Sequence, residues 1–223
     1  MGFTCRICDR ELKEKPYLAR CTYCGLEEPG DYACPAGHYV CEACRTATAE
    51  ELIERTCLAS DLDNPLDLAG LILKHPAMLP YGPEHHSLAA PVLLAALRNR
   101  RVPGITDATI RQALTRLQGI PALVCATRGD CGAAASAGVV VSLLQKATAH
   151  SDGERSAALR ATARALDRIA DHGGPRCCRQ SVYDTILATW DLLRQPYGLD
   201  SLQPPVCRGQ LKDCKTSRCI YFG

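Results

Sequence analysis

The chain has 223 residues, 47% of them hydrophobic and 22% charged, with a formal net charge of +2 and 15 cysteines. Apolar content of this size excludes global disorder, and near neutrality speaks against a broad nucleic-acid-binding face. The longest apolar stretch, Gly132–Leu144, stops at 13 residues, too short for a membrane span.

The opening run MGFTCRICDRELKEK has no apolar core of the signal-peptide kind, so the expected compartment is cytoplasmic. In a reducing cytosol, clustered cysteines read as metal ligands or catalytic thiols before they read as disulfides. Seven of the cysteines fall within the first 44 residues, and eight are spread over the rest.

In chain order, residues 1–46 offer few large aliphatic side chains and many cysteines, glycines and turn formers. Such a segment cannot build a hydrophobic core and needs another staple. From Thr48 onward the pattern turns to Ala- and Leu-rich helical periodicity. Thr48 with Glu51 predicts a capping box opening a helix over 48–57. Pro65 opens a second over 65–74, which Pro76 ends. Pro83-Glu84 opens a longer helix over 83–98, kinked at Pro91. Thr106 or Asp107 caps the next, which ends near Gly119. Helices over 131–146 and 154–171 follow; in the latter Leu159, Leu166, Ile169 and Ala170 form the apolar face. The last runs over 178–194 and is closed by Pro196 and Gly198. Two-residue alternation is nowhere sustained. The expected fold is mainly α: a small N-terminal double-zinc module of treble-clef or RING-like kind at 1–46, then an all-α domain at 47–223 with a Cys-rich tail.

The module's ligands read Cys5-x2-Cys8, Cys21-x2-Cys24, Cys34-x3-His38 and Cys41-x2-Cys44. A two-residue spacing lets both sulfurs of a knuckle reach one tetrahedral ion, so eight ligands make two structural zinc sites. Two pairings are open. A sequential scheme joins Cys5, Cys8, Cys21 and Cys24, then Cys34, His38, Cys41 and Cys44. An interleaved scheme, as in a RING finger, joins Cys21, Cys24, Cys41 and Cys44 on one ion and Cys5, Cys8, Cys34 and His38 on the other. The final Cys-x2-Cys of a RING is absent after Cys44, which argues against a ubiquitin ligase. A structural clip or docking surface is the favoured role.

Four segments of the helical part carry unusual chemistry. Gly82-Pro83-Glu84-His85-His86 places a carboxylate and two imidazoles at a helix start, where backbone N–H groups favour an anion. Adjacent histidines diverge around a helix, so one is expected to face a pocket. Cys125 and Cys131 precede the small-residue run Gly132–Gly138, and a thiolate at Cys131 would gain from the helix dipole. That run admits either a neighbouring helix or a bulky inorganic group. The turn Gly173-Gly174-Pro175-Arg176-Cys177-Cys178-Arg179 delivers vicinal cysteines between two arginines, which are suited to a carboxylate or phosphate. Finally, Cys207, Cys214 and Cys219 are one short of a closed tetrahedral site; Cys57, Cys125 or one of the vicinal pair would complete it.

The order of these motifs, from GHYVCEAC through GPEHH and CGAAASAG to GGPRCCRQS and the Cys-rich end, resembles an uncharacterised domain family of methanogens and anaerobic bacteria. Some of its members are joined to a methyltransferase domain. The stretch 131–188 also resembles the catalytic domain of iron–sulfur L-serine dehydratases and cysteine desulfidases, in which three cysteines hold a [4Fe–4S] cluster whose fourth iron binds substrate. That resemblance implies ligand roles for Cys131, Cys177 and Cys178. Here the last two are adjacent rather than separated, so Cys125 or a tail cysteine would replace one.

The function expected from these features is iron–sulfur-dependent lyase or sulfur-transfer chemistry on a small anionic substrate. Cys125, Cys131, Cys177, Cys178, Cys207, Cys214 and Cys219 are the candidate cluster ligands. Glu84, His85 and His86 would move protons, and Arg176 and Arg179 would hold the anion. The alternative is a non-catalytic zinc or iron–sulfur adaptor serving a partner enzyme, possibilities for which include a methyltransferase. A third reading makes Cys177 and Cys178 a redox dithiol. Neither nucleic acid nor membrane is an expected partner, and Cys57 is expected to be buried in a helix.

Overall fold

The computed structural model describes residues 2–209 and 211–223. Near the N-terminus, β1 (Lys13–Arg20) and β2 (Glu27–Ala33) form an antiparallel hairpin. The sequence gives no warning of these strands. Pro16 and Pro29 lie inside them, and the register slips between Glu14 and Tyr17, which destroys two-residue alternation. A two-stranded ribbon tolerates this, because each strand keeps an open edge where a missing N–H is harmless. Around the hairpin, Cys5, Cys21, Cys34, Cys41 and Cys44 are buried beside Ile7, Ala19 and Tyr23, so thiols occupy places that aliphatic side chains fill in an ordinary core. The one-turn helix α1 (Glu42–Arg45) starts at Cys41 and ends this region.

Helix α2 (Ala49–Ala59) opens on the expected capping box: Glu51 N donates to Thr48 Oγ1 at 3.3 Å, and Thr48 N donates to Glu51 Oε2 at 2.9 Å. In α3 (Pro65–Ile72), Pro65 takes the first turn and Leu66 N donates to Asn64 Oδ1 at 2.9 Å. The single kinked helix expected over 83–98 is instead two elements. A 3-10 turn, Pro83–Ser87, is followed by α4 (Ala89–Asn99). Pro91 therefore sits in the first turn of α4, where no backbone donor is lost and no kink results. Next come α5 (Asp107–Leu117), capped by Thr106, and the single turn α6 (Val124–Thr127), which no periodicity announces.

The remaining helices are α7 (Gly132–Leu144), α8 (Gly153–His172) and α9 (Cys178–Tyr197). Helix α9 runs through Pro196 and ends at Gly198, whose φ of 63° is the left-handed conformation that closes helices. In α4 every residue from Ala89 to Leu97 is buried, with α2, α3, α5, α7 and α9 around it. Helix α8 is peripheral. Its buried residues are Ala161 and Ala165, while Leu159 is 56% exposed and Ala170 also faces solvent, so the expected apolar face is rotated. Small residues on both sides let α7 and α8 approach closely: a Cβ on Gly138 would lie 2.4 Å from Thr162 Oγ1 and 3.0 Å from Ala158 O. Cys57 is fully buried in α2.

The tail returns along α9. Cys207 bridges Phe222, with Gly223 N donating to Cys207 O at 3.2 Å. Lys215 Nζ donates to the carbonyls of His172 and Gly173 at the end of α8. Buried Tyr221 donates its hydroxyl to Asp184 Oδ1 in α9, a carboxylate that also accepts from His172 Nδ1 at 2.7 Å and lies 3.5 Å from Arg168 Nε. Among the described residues no helix is long and apolar enough to cross a membrane.

Candidate metal centres

The N-terminal ligands gather into two groups, Cys5, Cys8, Cys34 and His38, and Cys21, Cys24, Cys41 and Cys44. Within each, the donor atoms lie within 4.8 Å of one another. The pairing is therefore interleaved, and the sequential scheme is overturned. The reason lies in the hairpin: β1 and β2 bring Cys34 back beside the Cys5–Cys8 knuckle, and the turn joining the strands carries Cys21 and Cys24 to the start of α1.

Several donor distances match a tetrahedral ion. Cys8 and Cys34 sulfurs are 3.6 Å apart, as are those of Cys24 and Cys41, and His38 Nδ1 is 3.7 Å from Cys5 Sγ. Two metal–sulfur bonds of about 2.3 Å at the tetrahedral angle place their sulfurs about 3.8 Å apart. With four donors each, both groups can hold a metal ion and leave no coordination position for a substrate. Burial pushes the Cys44 thiol up. At Cys21 burial also raises the pKa, but N–H donors from Cys41, Cys24 and Tyr23 outweigh it and the net shift is downward. In the other group burial pushes the Cys5 thiol up, while at Cys34 burial is outweighed by N–H donors from Ala36 and His38 that bring it down, so both groups contain thiols that differ in readiness to ionise.

In the helical part, Cys125, Cys131 and Cys178 line one pocket together with His85, His86 and Arg176. Each wall is the end of an element: Cys131 precedes α7, Cys178 begins α9, Cys125 lies on α6, and the histidines belong to the 3-10 turn. Both histidines line the pocket, against the expectation of one, because the pocket wraps around a short turn rather than facing one side of an α-helix. That turn is also too short to supply the anion-binding helix terminus expected of it.

His86 packs on Gly132, where a Cβ would lie 2.3 Å from His86 Cγ, and Ser136 Oγ donates to His86 O at 3.1 Å. The small-residue run of α7 thus serves a histidine at one end and a neighbouring helix at the other. Glu84 does not itself line the pocket; its Oε1 lies 3.5 Å from His85 Nδ1, and both atoms are buried without a hydrogen-bond partner. Burial lowers the His85 pKa to about 4, helped by the charges of Arg179 and Arg176, so this imidazole is neutral at pH 7 and the contact is not an ion pair.

The Cys131 thiol is pushed up by burial despite N–H groups of Ala134 and Ala133 that lower it, which reverses the expected helix-dipole stabilisation. Arg176 stands at the rim with its guanidinium 4.9 Å over the Tyr81 ring. Arg179 faces away from this pocket, donating to Leu73 O at 3.2 Å. The Leu73 carbonyl accounts for Arg179 at this helix start, whereas Arg176 lies over a ring face, a contact that does not use its N–H donors.

The vicinal cysteines part company. Cys178 faces Cys125 and Cys131, whereas Cys177 lines a second cavity with Cys207, Cys214 and Cys219, next to Arg179 and Tyr183. The sequence left open which cysteine completes the tail trio, and Cys177 is the one placed there. Missing from the sequence reading were Tyr81, Leu123 and Ser181 around the first pocket and Tyr183 and Tyr221 around the second. Leu123, with φ of 66°, carries a left-handed backbone at the pocket mouth that nothing in its residue type foretells.

No curated protein and no solved structure matches the chain. A family model does match, over residues 53–222, which takes in every cysteine of the helical part and excludes both N-terminal metal groups. By that match the chain belongs to a family of unknown function (DUF5714).

Proposed function

We propose that the chain is an iron–sulfur-dependent enzyme that performs lyase or sulfur-transfer chemistry on a small anionic substrate in the Cys125–Cys131–Cys178 pocket. The observation that carries this reading is the convergence of three thiols from three elements on one cavity that also holds two histidines and an arginine. Three thiolates leave a cluster with one iron free of protein ligands, and such an iron supplies Lewis-acid polarisation of a hydroxyl, thiol or sulfide.

The donor set fits that group better than a single zinc. Unlike the N-terminal groups, these three sulfurs are not all within 4.8 Å of one another. A cubane, in which each thiolate binds a different iron, spreads its ligands wider than one tetrahedral ion does. The unpartnered Glu84 Oε1 and His85 Nδ1 add two buried polar atoms beside the pocket, and neutral His85 is suited to accept a proton. Arg176 at the rim is placed to orient a carboxylate. The resemblance to iron–sulfur dehydratases and desulfidases supports the same chemistry, and that to domains joined to methyltransferases in anaerobes suggests a setting for it.

Anaerobic reconstitution with iron and sulfide tests the reading. Wild type should gain acid-labile sulfide and visible charge-transfer absorption, and Cys125→Ala, Cys131→Ala and Cys178→Ala should each lose about four irons. Addition of L-serine or L-cysteine should shift the electron paramagnetic resonance signal of the reduced protein and release pyruvate, and His85→Ala should abolish the pyruvate while keeping the iron. Zinc alone in every site refutes the proposal. An iron centre that responds to no small anion makes the protein a carrier or adaptor instead.

A further inference from the structure

We infer that Cys177, Cys207, Cys214 and Cys219 form a second, closed iron–sulfur site that fastens the tail to the start of α9. This inference does not depend on the catalytic reading of the neighbouring pocket. The four cysteines line one cavity walled by Tyr183 and Tyr221. Backbone N–H groups already point at two of the sulfurs: Gln180 N is 3.4 Å from Cys177 Sγ, and Thr216 N is 3.3 Å from Cys214 Sγ. Such donors are satisfied best by a thiolate rather than a thiol.

At Gly209 the chain comes so close that a Cβ would meet Phe222 at 2.8 Å and Cys214 Sγ at 3.1 Å, and its φ of 60° is one that a side chain opposes.

Apolar burial does not hold this segment. Val206 is 73% exposed, Ile220 55% and Phe222 42%; Tyr221 is the buried large side chain among them. Three thiols from a segment without a core, joined by Cys177 at the start of α9, repeat the logic of the N-terminal module, where metal would replace hydrophobic packing. The type of metal differs, however. In each N-terminal group the four donor atoms lie within 4.8 Å of one another, whereas among the described residues no three of the Cys177, Cys207, Cys214 and Cys219 sulfurs gather that tightly. Four separated thiolates suit a cubane in which each binds its own iron. With all four irons ligated by protein, the site has no position for a substrate. It would stand beside the catalytic pocket, separated from it by the single peptide unit between Cys177 and Cys178.

The test uses the full-length chain reconstituted anaerobically with ferrous iron and sulfide. Relative to wild type, Cys214→Ala and Cys219→Ala should each lose about four irons and about four sulfides per chain, with zinc content unchanged. Combining Cys214→Ala with Cys125→Ala should remove both complements additively, which separates this site from the pocket. Iron content unchanged in Cys214→Ala, or loss of zinc in place of iron, overturns the inference.

Should the variants lose helical circular dichroism, alkylation of reconstituted wild type decides. Cys177, Cys207, Cys214 and Cys219 should resist labelling until the iron is stripped by a chelator, and all four should then react. Labelling before stripping, or absence of free thiols at these positions because they have formed disulfides, also overturns it.

Discussion

The same substitution at two helical glycines should have opposite signs. At Gly132, the first residue of α7, an added Cβ would lie 2.3 Å from His86 Cγ and 2.6 Å from His86 Cβ. Those atoms are the root of the side chain rather than its flexible end, and His86 is 8% exposed, so either the 3-10 turn or the start of α7 must shift. Overpacking of this kind costs about 1–3 kcal/mol, and removing a helical glycine returns up to about 1 kcal/mol. The net for Gly132→Ala is a loss of about 1–2 kcal/mol.

At Gly70, inside α3, nothing lies within 4 Å of the added atom and φ is ordinary. There Gly70→Ala should stabilise by about 0.4–1 kcal/mol, through the unfolded chain. At about 2–4 °C per kcal/mol for a chain of this size, thermal melting should put Gly132→Ala about 2–8 °C below wild type and Gly70→Ala about 1–4 °C above it. A Gly132→Ala protein that melts at or above wild type would refute the role assigned to that glycine.

Interleaving of the N-terminal sites predicts that Cys34→Ala releases one metal ion and raises the alkylation rates of Cys5 and Cys8, while Cys21, Cys24, Cys41 and Cys44 stay protected; exposure of Cys41 and Cys44 instead would restore sequential pairing. Tyr221→Phe removes a buried hydroxyl donor to a carboxylate, a contact worth about 1.5–3 kcal/mol, and should speed hydrogen exchange at the Gly223 amide, which unchanged exchange would contradict. Arg98 Nη2 donates to Cys57 O and Ser60 O at 3.1 and 3.2 Å while Nη1 pairs with Asp107 at 2.7 Å. Arg98→Lys cannot reproduce that fork and should lower stability by about 1–2 kcal/mol in urea titrations.

The depressed His85 pKa of about 4 also sets a pH dependence. The unfolded imidazole takes up a proton near pH 6.5, so the contribution of neutral His85 is fully present above that pH and is lost as pH falls toward 4. At pH 5 wild type should have lost about 2 kcal/mol relative to pH 7 that His85→Gln does not lose. Equal losses in the two proteins would show that His85 is not held neutral.

Helical spacing and caps were legible because they are local. Thr48 with Glu51, a capping box three residues wide, and Pro65 at a first turn announce their helices from neighbouring residues alone. The strands were not legible, since Pro16, Pro29 and the slip after Glu14 erase the pattern that burial on one face would have written. Nor was the buried face of α8, because its buried residues are Ala161 and Ala165, too small to dominate a pattern beside Leu159. At the sites, ligand types could be read while their grouping could not. Which cysteines share a cavity depends on where α6, the start of α7 and the tail meet α9, and those are distances between segments rather than spacings within one. The split of Cys177 from Cys178 shows this most clearly, since adjacent residues at a helix start project to different sides.

Interleaved ligation has a consequence for the order in which the N-terminal module can be made. The group containing Cys5 lacks its last donor until His38 has been synthesised, and the group containing Cys21 lacks its own until Cys44. Sequentially paired knuckles would let an ion settle once Cys24 had emerged. Here the segment from Cys8 to Cys34, closed by one ion, carries Cys21 and Cys24 of the other, and the segment from Cys24 to Cys41 carries Cys34 and His38 in return. Each ion thus shortens the chain that the second must bridge, so the first to bind lowers the entropic cost for its neighbour. Loading becomes a late event, and once a chelator has extracted one ion the second, though its four donors are complete, should be held more weakly than before.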